Sequence, residues 1–515
     1  MKKLSFIKIK VQNKLMNGRQ VLSKRGSLLS RFDGLKAIFQ LWLFLLGGLS
    51  VHGEARDMIE ITHAGLGNSL TVEVMNLRDG EIQIKLESGD IYTLPTDLLT
   101  SESINQARLF LETKATELVN INKFIGQPLF NASGTLWEQP ASDTAKRLRW
   151  PVESKGASSS SYRKYTRADY SFLGAHPYCA TLYGSADGHA ELFSLVFANK
   201  GDFGSKMGMG EDHFKKIHPD ANIPKSLSEA IELDAQVLTK SLSDELGEPK
   251  QQYYGEKEDK RKVLRWDLNG HSFILSQRDE EYVSLLIVPI SVADAEGKVE
   301  LVKDSDMKVI IAKNVQRGEN GDVLVTNIPM VNQGPKGYCA PATAERAMRY
   351  MLVPADMYLL AVAATSAEGG TNTTALMESC KRIVRSKARK IRDLNLEKDL
   401  NFKTLKKYID KGVPILWQMR SLDQYNKIAN RRTKERREVT DFVTWAETIK
   451  AESKDVVSSL KSIKENHHIC MIIGYNEKTN EVAVSDSWGI RYELRWVHID
   501  IARAVTSRGG FVIDF

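Results

Sequence analysis

The chain has 515 residues, of which 42% are apolar and 27% charged, with a formal net charge of +7. That length exceeds what one hydrophobic core fills and suggests about three domains, while the composition excludes wholesale disorder. The positive excess is local: residues 1–36 hold ten Lys/Arg and one acid, Asp33, so the near-neutral remainder offers no electrostatic footprint for nucleic acid.

The basic leader ends at Lys36 and is followed by an apolar stretch, Ala37–Leu49, and then by small residues with Val51 and Gly53 at the −3 and −1 positions of a cleavage site. The stretch is shorter than the roughly 20 residues of a membrane-spanning helix. Residues 1–53 are therefore expected to be a signal peptide that touches the membrane only transiently, giving a secreted or periplasmic protein; the alternative is an uncleaved signal that anchors the chain. Four cysteines (Cys179, Cys339, Cys380, Cys470), with no Cys-x-x-Cys pair, form neither a disulfide framework nor a zinc site.

Between residues 56 and 112, Leu70, Val72 and Val74 alternate with polar residues, as do Ile82, Ile84 and Leu86. This is the period of half-buried strands, punctuated by turns at Arg78-Asp79-Gly80 and Ser88-Gly89-Asp90. A strand at Ile91–Leu94 ends at Pro95, and Ser101-Glu102 opens a helix through Leu111. The segment DGEIQIKLESGDIYTLPTDLLTSESI resembles the Sla-one homology type of small barrel, which implies a peptide-binding or adaptor module. A small β-barrel is thus expected over 56–112.

Residues 120–315 carry a weak internal repeat. Gly126-Gln127-Pro128 precedes Arg147-Leu148-Arg149-Trp150, and Gly247-Glu248-Pro249 precedes Val263-Leu264-Arg265-Trp266. The expectation is a two-fold α/β repeat region without a catalytic constellation. The histidines His176, His189 and His271 are scattered and give no metal-ligand spacing. A charged, Gly-containing linker at Lys313–Asp322 leads into the last domain, 323–515.

In that domain the run VNQGPKGYCAPATAERAMRY has a loop marked by Gly334, Pro335 and Gly337. A helix follows, with Pro341 in its first turn, which places Cys339 at the helix N-terminus. There the unsatisfied N–H groups and the helix dipole favour thiolate over thiol, and the thiolate is the attacking species. Gln333, six residues earlier, can return an amide donor to an oxyanion beside the Cys339 backbone N–H. Far downstream, HHICMIIGY reads as a strand, Asn476–Asn480 as a turn and Glu481–Ser485 as a second strand that leads into Asp486-Ser487-Trp488-Gly489. An antiparallel hairpin brings His468, at the start of one strand, close to Asp486, at the end of the other. A general base and the carboxylate that fixes its tautomer require such a pair.

The Gln-Gly-x-x-Gly-x-Cys element, the His-led strand ending in Gly-Tyr and the Ser-Trp-Gly element resemble the papain-like cysteine peptidases. The Cys-Ala-Pro-Ala context and Gly370-Thr371-Asn372 are more similar to their bacterial, bacteriocin-processing branch, family thirty-nine. This resemblance spans 323–515 and implies a helix-plus-antiparallel-sheet domain. By position it implies Cys339 as nucleophile, His468 as general base and acid, Asp486 as orienter, Gln333 as oxyanion donor, and Trp488 as the shield of the His–Asp bond. Residues 421–466 are a charged helical insertion relative to that core, expected to be a lid or a solvated extension.

The expectation is an α+β multidomain thiol peptidase acting on polypeptide, with no cofactor and no metal. Transamidation or deamidation on the same fold, and an inactive binding protein, are the alternatives. Residues 56–315 are expected to meet an envelope or protein partner, recruit substrate, or mask the site.

Overall fold

The computed structural model describes residues 58–515 apart from 88–89, 132–134, 158, 168, 204–212, 215–222, 257–259, 300, 335–336, 364–372 and 464–465. The leader and its cleavage site, Pro335 and Gly370-Thr371-Asn372 lie outside the described residues. The chain divides into two compact units after Thr113.

In the first unit, β1 (Ile59–Thr62), β2 (Ser69–Arg78), β3 (Glu81–Lys85) and β4 (Ile91–Pro95) form an antiparallel sheet in simple sequence order. The Arg78↔Glu81 register leaves a two-residue turn, Asp79-Gly80, with both residues at positive φ (52° and 79°). That is the hairpin turn whose twist matches the strands it joins. Leu70, Val72, Val74, Ile82 and Ile84 are buried, and Ala107 of α1 (Ser101–Ile125) completes their core. The barrel expectation is overturned, because no sheet closes on itself. A barrel needs a hydrogen-bonded ladder between its first and last strands. Here β1 is four residues long, and β4 ends at Pro95 and turns into the 3-10 segment Thr96–Leu98, so among the described residues the sheet's two ends share the single bridge His63↔Leu99.

The second unit holds two eight-stranded sheets. In the first, helix α2 (Ala141–Leu148) precedes β5 (Val152–Lys155), β6 (Ser160–Tyr165), β7 (Cys179–Gly184) and β8 (Ala190–Asn199). Helix α3 (Leu227–Leu246) then precedes β9 (Lys250–Tyr254), β10 (Arg261–Leu268), β11 (His271–Arg278) and β12 (Tyr282–Pro289). The order β5-β6-β7-β8-β12-β11-β10-β9 is two four-stranded meanders joined at their last strands. Ala230, Ile231, Ala235, Leu238 and Leu242 of α3 share a buried face, set by helical spacing. The α/β label therefore fails for this region: every pairing is antiparallel, because the strands within each meander are joined by hairpins and loops and not by helical crossovers. The two repeat tryptophans sit on different elements, Trp150 just after α2 and Trp266 within β10, and both are buried.

The last sheet is made of β13 (Val315–Arg317), β14 (Asp322–Val325), β15 (Lys390–Leu394), β16 (Ile415–Arg420), β17 (His467–Asn476), β18 (Glu481–Ser485), β19 (Arg495–His498) and β20 (Thr506–Asp514). Its main path runs β13-β14-β17-β16-β20-β15, with β18 on β17 and β19 on β18. Strand β17 meets β14 and β18 together near Gly474, where a Cβ would come within 2.4 Å of the Val323 carbonyl oxygen. Only glycine admits that approach. Helix α4 (Cys339–Tyr350) is buried along almost its whole length. Its Ala340, Ala344, Ala347 and Met348 join the core of Trp417, Met471, Ile472 and Val484. Among the described residues the architecture is α+β, with three antiparallel sheets.

Candidate active site

Helix α4 presents Cys339 as its first residue. Pro341 fits there because the first-turn N–H that it lacks has no partner within the helix. One turn on, Thr343 Oγ1 donates to the Ile469 carbonyl at 3.1 Å and meets Ser487 Oγ at 3.2 Å. The fully buried Arg346 donates from Nε to the Pro329 carbonyl (2.9 Å) and from Nη2 to Ser485 Oγ (2.6 Å). The backbone N–H of Gln333 donates to the Ser487 carbonyl at 2.9 Å. Two side chains of one helix thus bind the segment before Gln333, the start of β17 and the end of β18 into one frame.

In that frame β17 and β18 pair as an antiparallel hairpin, and His468 Nε2 donates to Asp486 Oδ1 at 2.7 Å. A buried, ionised carboxylate can only accept, so Nε2 carries the proton and Nδ1 is the nitrogen left for the thiol of Cys339, with which His468 is hydrogen-bonded. The Trp488 ring stacks on the His468 ring, centroids 4.8 Å apart, and covers the imidazole. Asp486 Oδ2 is bound by Arg495 of β19, and its backbone N–H donates to the Tyr492 carbonyl at 2.9 Å. Arg495 in turn donates to Asn426 Oδ1 at 3.0 Å and Asn430 Oδ1 at 3.4 Å.

Those asparagines lie on α5 (Asp423–Arg436), the first helix of the charged insertion, which continues as α6 (Phe442–Ser462). The insertion is pinned to the sheet: Arg436 binds Asp322 (2.6 Å) and Glu481 (2.8 Å), and the Trp445 indole donates to Glu481 at 3.2 Å. Its first helix therefore reaches Asp486 through Arg495. Sequence reading passed over Arg495, Arg346, Thr343 and this role of α5. One signal existed for Arg495: a charge among the apolar residues of Leu494-Arg495-Trp496-Val497 calls for a buried partner.

The electrostatics follow from this packing. Burial pushes the Cys339 thiol up, but the bond to His468 and its charge, with the backbone N–H groups of Ile469 and Ala340, outweigh it and hold the thiol below its ordinary value. Burial would lower His468, yet Asp486 and Cys339 raise it to about 9. Burial opposes the Asp486 charge, and Arg495 and His468 overcome it, keeping the carboxyl below its usual range. Both shifts favour the thiolate–imidazolium form of the Cys339–His468 pair over the neutral one, with the carboxylate behind them.

Cys179, Cys380 and Cys470 are free and buried, and burial raises the thiols of the last two. Among the described residues no group of three or more His, Cys, Asp or Glu could hold a metal ion. The His271 ring is fully buried, accepts the Leu136 N–H at 3.1 Å and is held neutral, its pKa lowered to about 4 by burial.

No curated protein matches the chain. Residues 325–501 match the family described as Peptidase_C39 like family, a stretch that contains Cys339, Gln333, His468 and Asp486. The C-terminal region of this chain is thus a C39-like cysteine-peptidase family domain.

Proposed function

We propose that the chain is an exported thiol peptidase that cleaves polypeptide through an acyl-enzyme on Cys339. The observation that carries this reading is a thiol at the N-terminus of a buried helix, hydrogen-bonded to a histidine that is itself bonded to a buried carboxylate, inside a stretch matched by a peptidase family. The Cys339 thiolate attacks the scissile carbonyl carbon, and the tetrahedral oxyanion is received by the Gln333 side-chain amide and the Cys339 backbone N–H. The His468 imidazolium gives its proton to the departing amine, the C–N bond breaks and a thioester remains. Neutral His468 then takes a proton from water, hydroxide attacks the thioester, and the acid product leaves as the sulfur recovers its charge. Asp486 keeps the imidazole turned toward the sulfur throughout.

Export rests on the basic leader and apolar stretch at the N-terminus. Among the described residues no helix is long and apolar enough to cross a membrane.

The test is Cys339→Ala in the full chain with a fluorogenic peptide library. Hydrolysis should fall to background, and retention of activity would remove the assignment. Running the wild type with and without a primary amine separates hydrolysis from transamidation: the proposed reaction gives the free acid, and a predominant amide product would replace it with acyl transfer.

A further inference from the structure

Glu153 on β5 and Arg163 on β6 are charges buried in the middle sheet, each 6% exposed. A buried charge is retained only with partners that satisfy it. Glu153 Oε1 accepts Arg163 Nε at 2.7 Å and Oε2 accepts Ser161 Oγ at 2.9 Å. The remaining capacity of Oε1 goes outside the sheet, to the backbone N–H of Asn332 at 2.7 Å. The hydroxyl of Tyr165, at the end of β6, donates to the carbonyl of the same Asn332. Both backbone polar groups of the residue before Gln333 are thus held by one sheet.

The neighbouring contacts make this grip rigid. Asn332 Oδ1 accepts the Gly334 N–H at 3.0 Å, and Gly334, at φ 69°, lies so close to the Tyr165 ring that a Cβ would sit 2.7 Å from its Cζ. Ser154 Oγ accepts the Met330 N–H at 2.9 Å. On the other side, Arg163 donates to Tyr183 Oη at 3.2 Å, which donates to Glu345 Oε1 of α4 at 3.2 Å. The same sheet therefore holds the segment that carries Gln333 and the helix that carries Cys339.

We propose that Glu153 and Tyr165 are positioning residues for the oxyanion donor Gln333, so that the sheet of residues 152–289 is a built-in part of the reaction site. The proposal rests on the peptidase reading above, and its test separates the two. In the full chain, Tyr165→Phe removes one hydrogen bond and keeps the ring, and Glu153→Gln keeps an acceptor while removing the charge. Each should lower kcat about tenfold or more, as expected for one lost hydrogen bond that aligns a transition-state donor, with KM changed less than about twofold. Alkylation of Cys339 by iodoacetamide, which needs the His468 pair and no oxyanion donor, should keep its rate and pH profile. The Asn332–Gly334 backbone amides should exchange with deuterium about tenfold faster in both variants, a readout independent of turnover. Unchanged kcat and unchanged exchange in Tyr165→Phe would overturn the proposal, as would alkylation that falls in step with kcat, since that marks general loss of the site. A wild-type chain that alkylates normally but turns over no acyl substrate sinks the peptidase reading alone; the exchange result then decides whether β5 and β6 position this segment.

Discussion

Replacing His468 with alanine should lower kcat/KM for peptide hydrolysis by about 10²–10⁴-fold, the range for loss of a positioned general acid–base group. Two losses combine in that figure. The leaving amine has no proton donor, and the thiol loses the partner that outweighs its burial, so its pKa rises and the thiolate becomes harder to form. His467, next in sequence but exposed, is the internal control. Strand alternation sends it to the other face of β17, and His467→Ala should leave kcat/KM within about twofold. Steady-state kinetics with a fluorogenic peptide read both variants. A loss below tenfold for His468→Ala would mean that Cys339 works without this base.

The second large effect belongs to Arg495. In Arg495→Met, Asp486 stays buried at 1% exposure and keeps its salt bridge to His468, and breaking a buried pair from one side costs about 3–5 kcal/mol. The denaturation midpoint should fall accordingly. The sign of the pH dependence follows from the depressed Asp486 pKa: its contribution is complete above the unfolded value of about 3.9 and is lost as pH falls through the folded value. Without Arg495 that folded value rises, so acid unfolding should begin at higher pH. His468 acts in the opposite sense, since a folded pKa of about 9 gives stability that is lost as pH rises through that value. The double variant Arg495→Met with Asp486→Asn removes both charges and should recover much of the stability but little of the activity. Equal loss of stability in the single and double variants would show that the Arg495–Asp486 pair is not the source of the cost.

Local pattern carried much of this site into view. A glycine-bearing loop before an alanine-rich helix places Cys339 at an N-terminus, and two strands around Asn476–Asn480 bring His468 and Asp486 together, which the 2.7 Å contact reflects. Gly474 was legible as part of a strand ending, and the close approach of β14 explains why that position carries no side chain. What stayed hidden depends on distant partners. Nothing near Arg495 names Asp486 or the asparagines of α5, and nothing near Glu153 names Asn332, 179 residues away. The barrel expectation failed for a related reason: alternation identifies which face of a strand is buried, but closure depends on whether the first and last strands can ladder, and Pro95 ends the last one. The α/β expectation rested on a duplicated sequence pattern that does not set strand direction, and the strands of both meanders pair antiparallel.

The proposed reaction requires Cys339 to attack as a thiolate favoured by His468. The direct measurement is the pH dependence of iodoacetamide alkylation of the full chain, with the adduct mapped by mass spectrometry. Cys339 should be labelled with a rate that rises through a pKa below the ordinary thiol value of about 8.5, with no comparable labelling of the buried Cys179, Cys380 or Cys470. A rate that rises only at or above the ordinary thiol value, or an adduct that forms first on another cysteine, would contradict the proposed reaction.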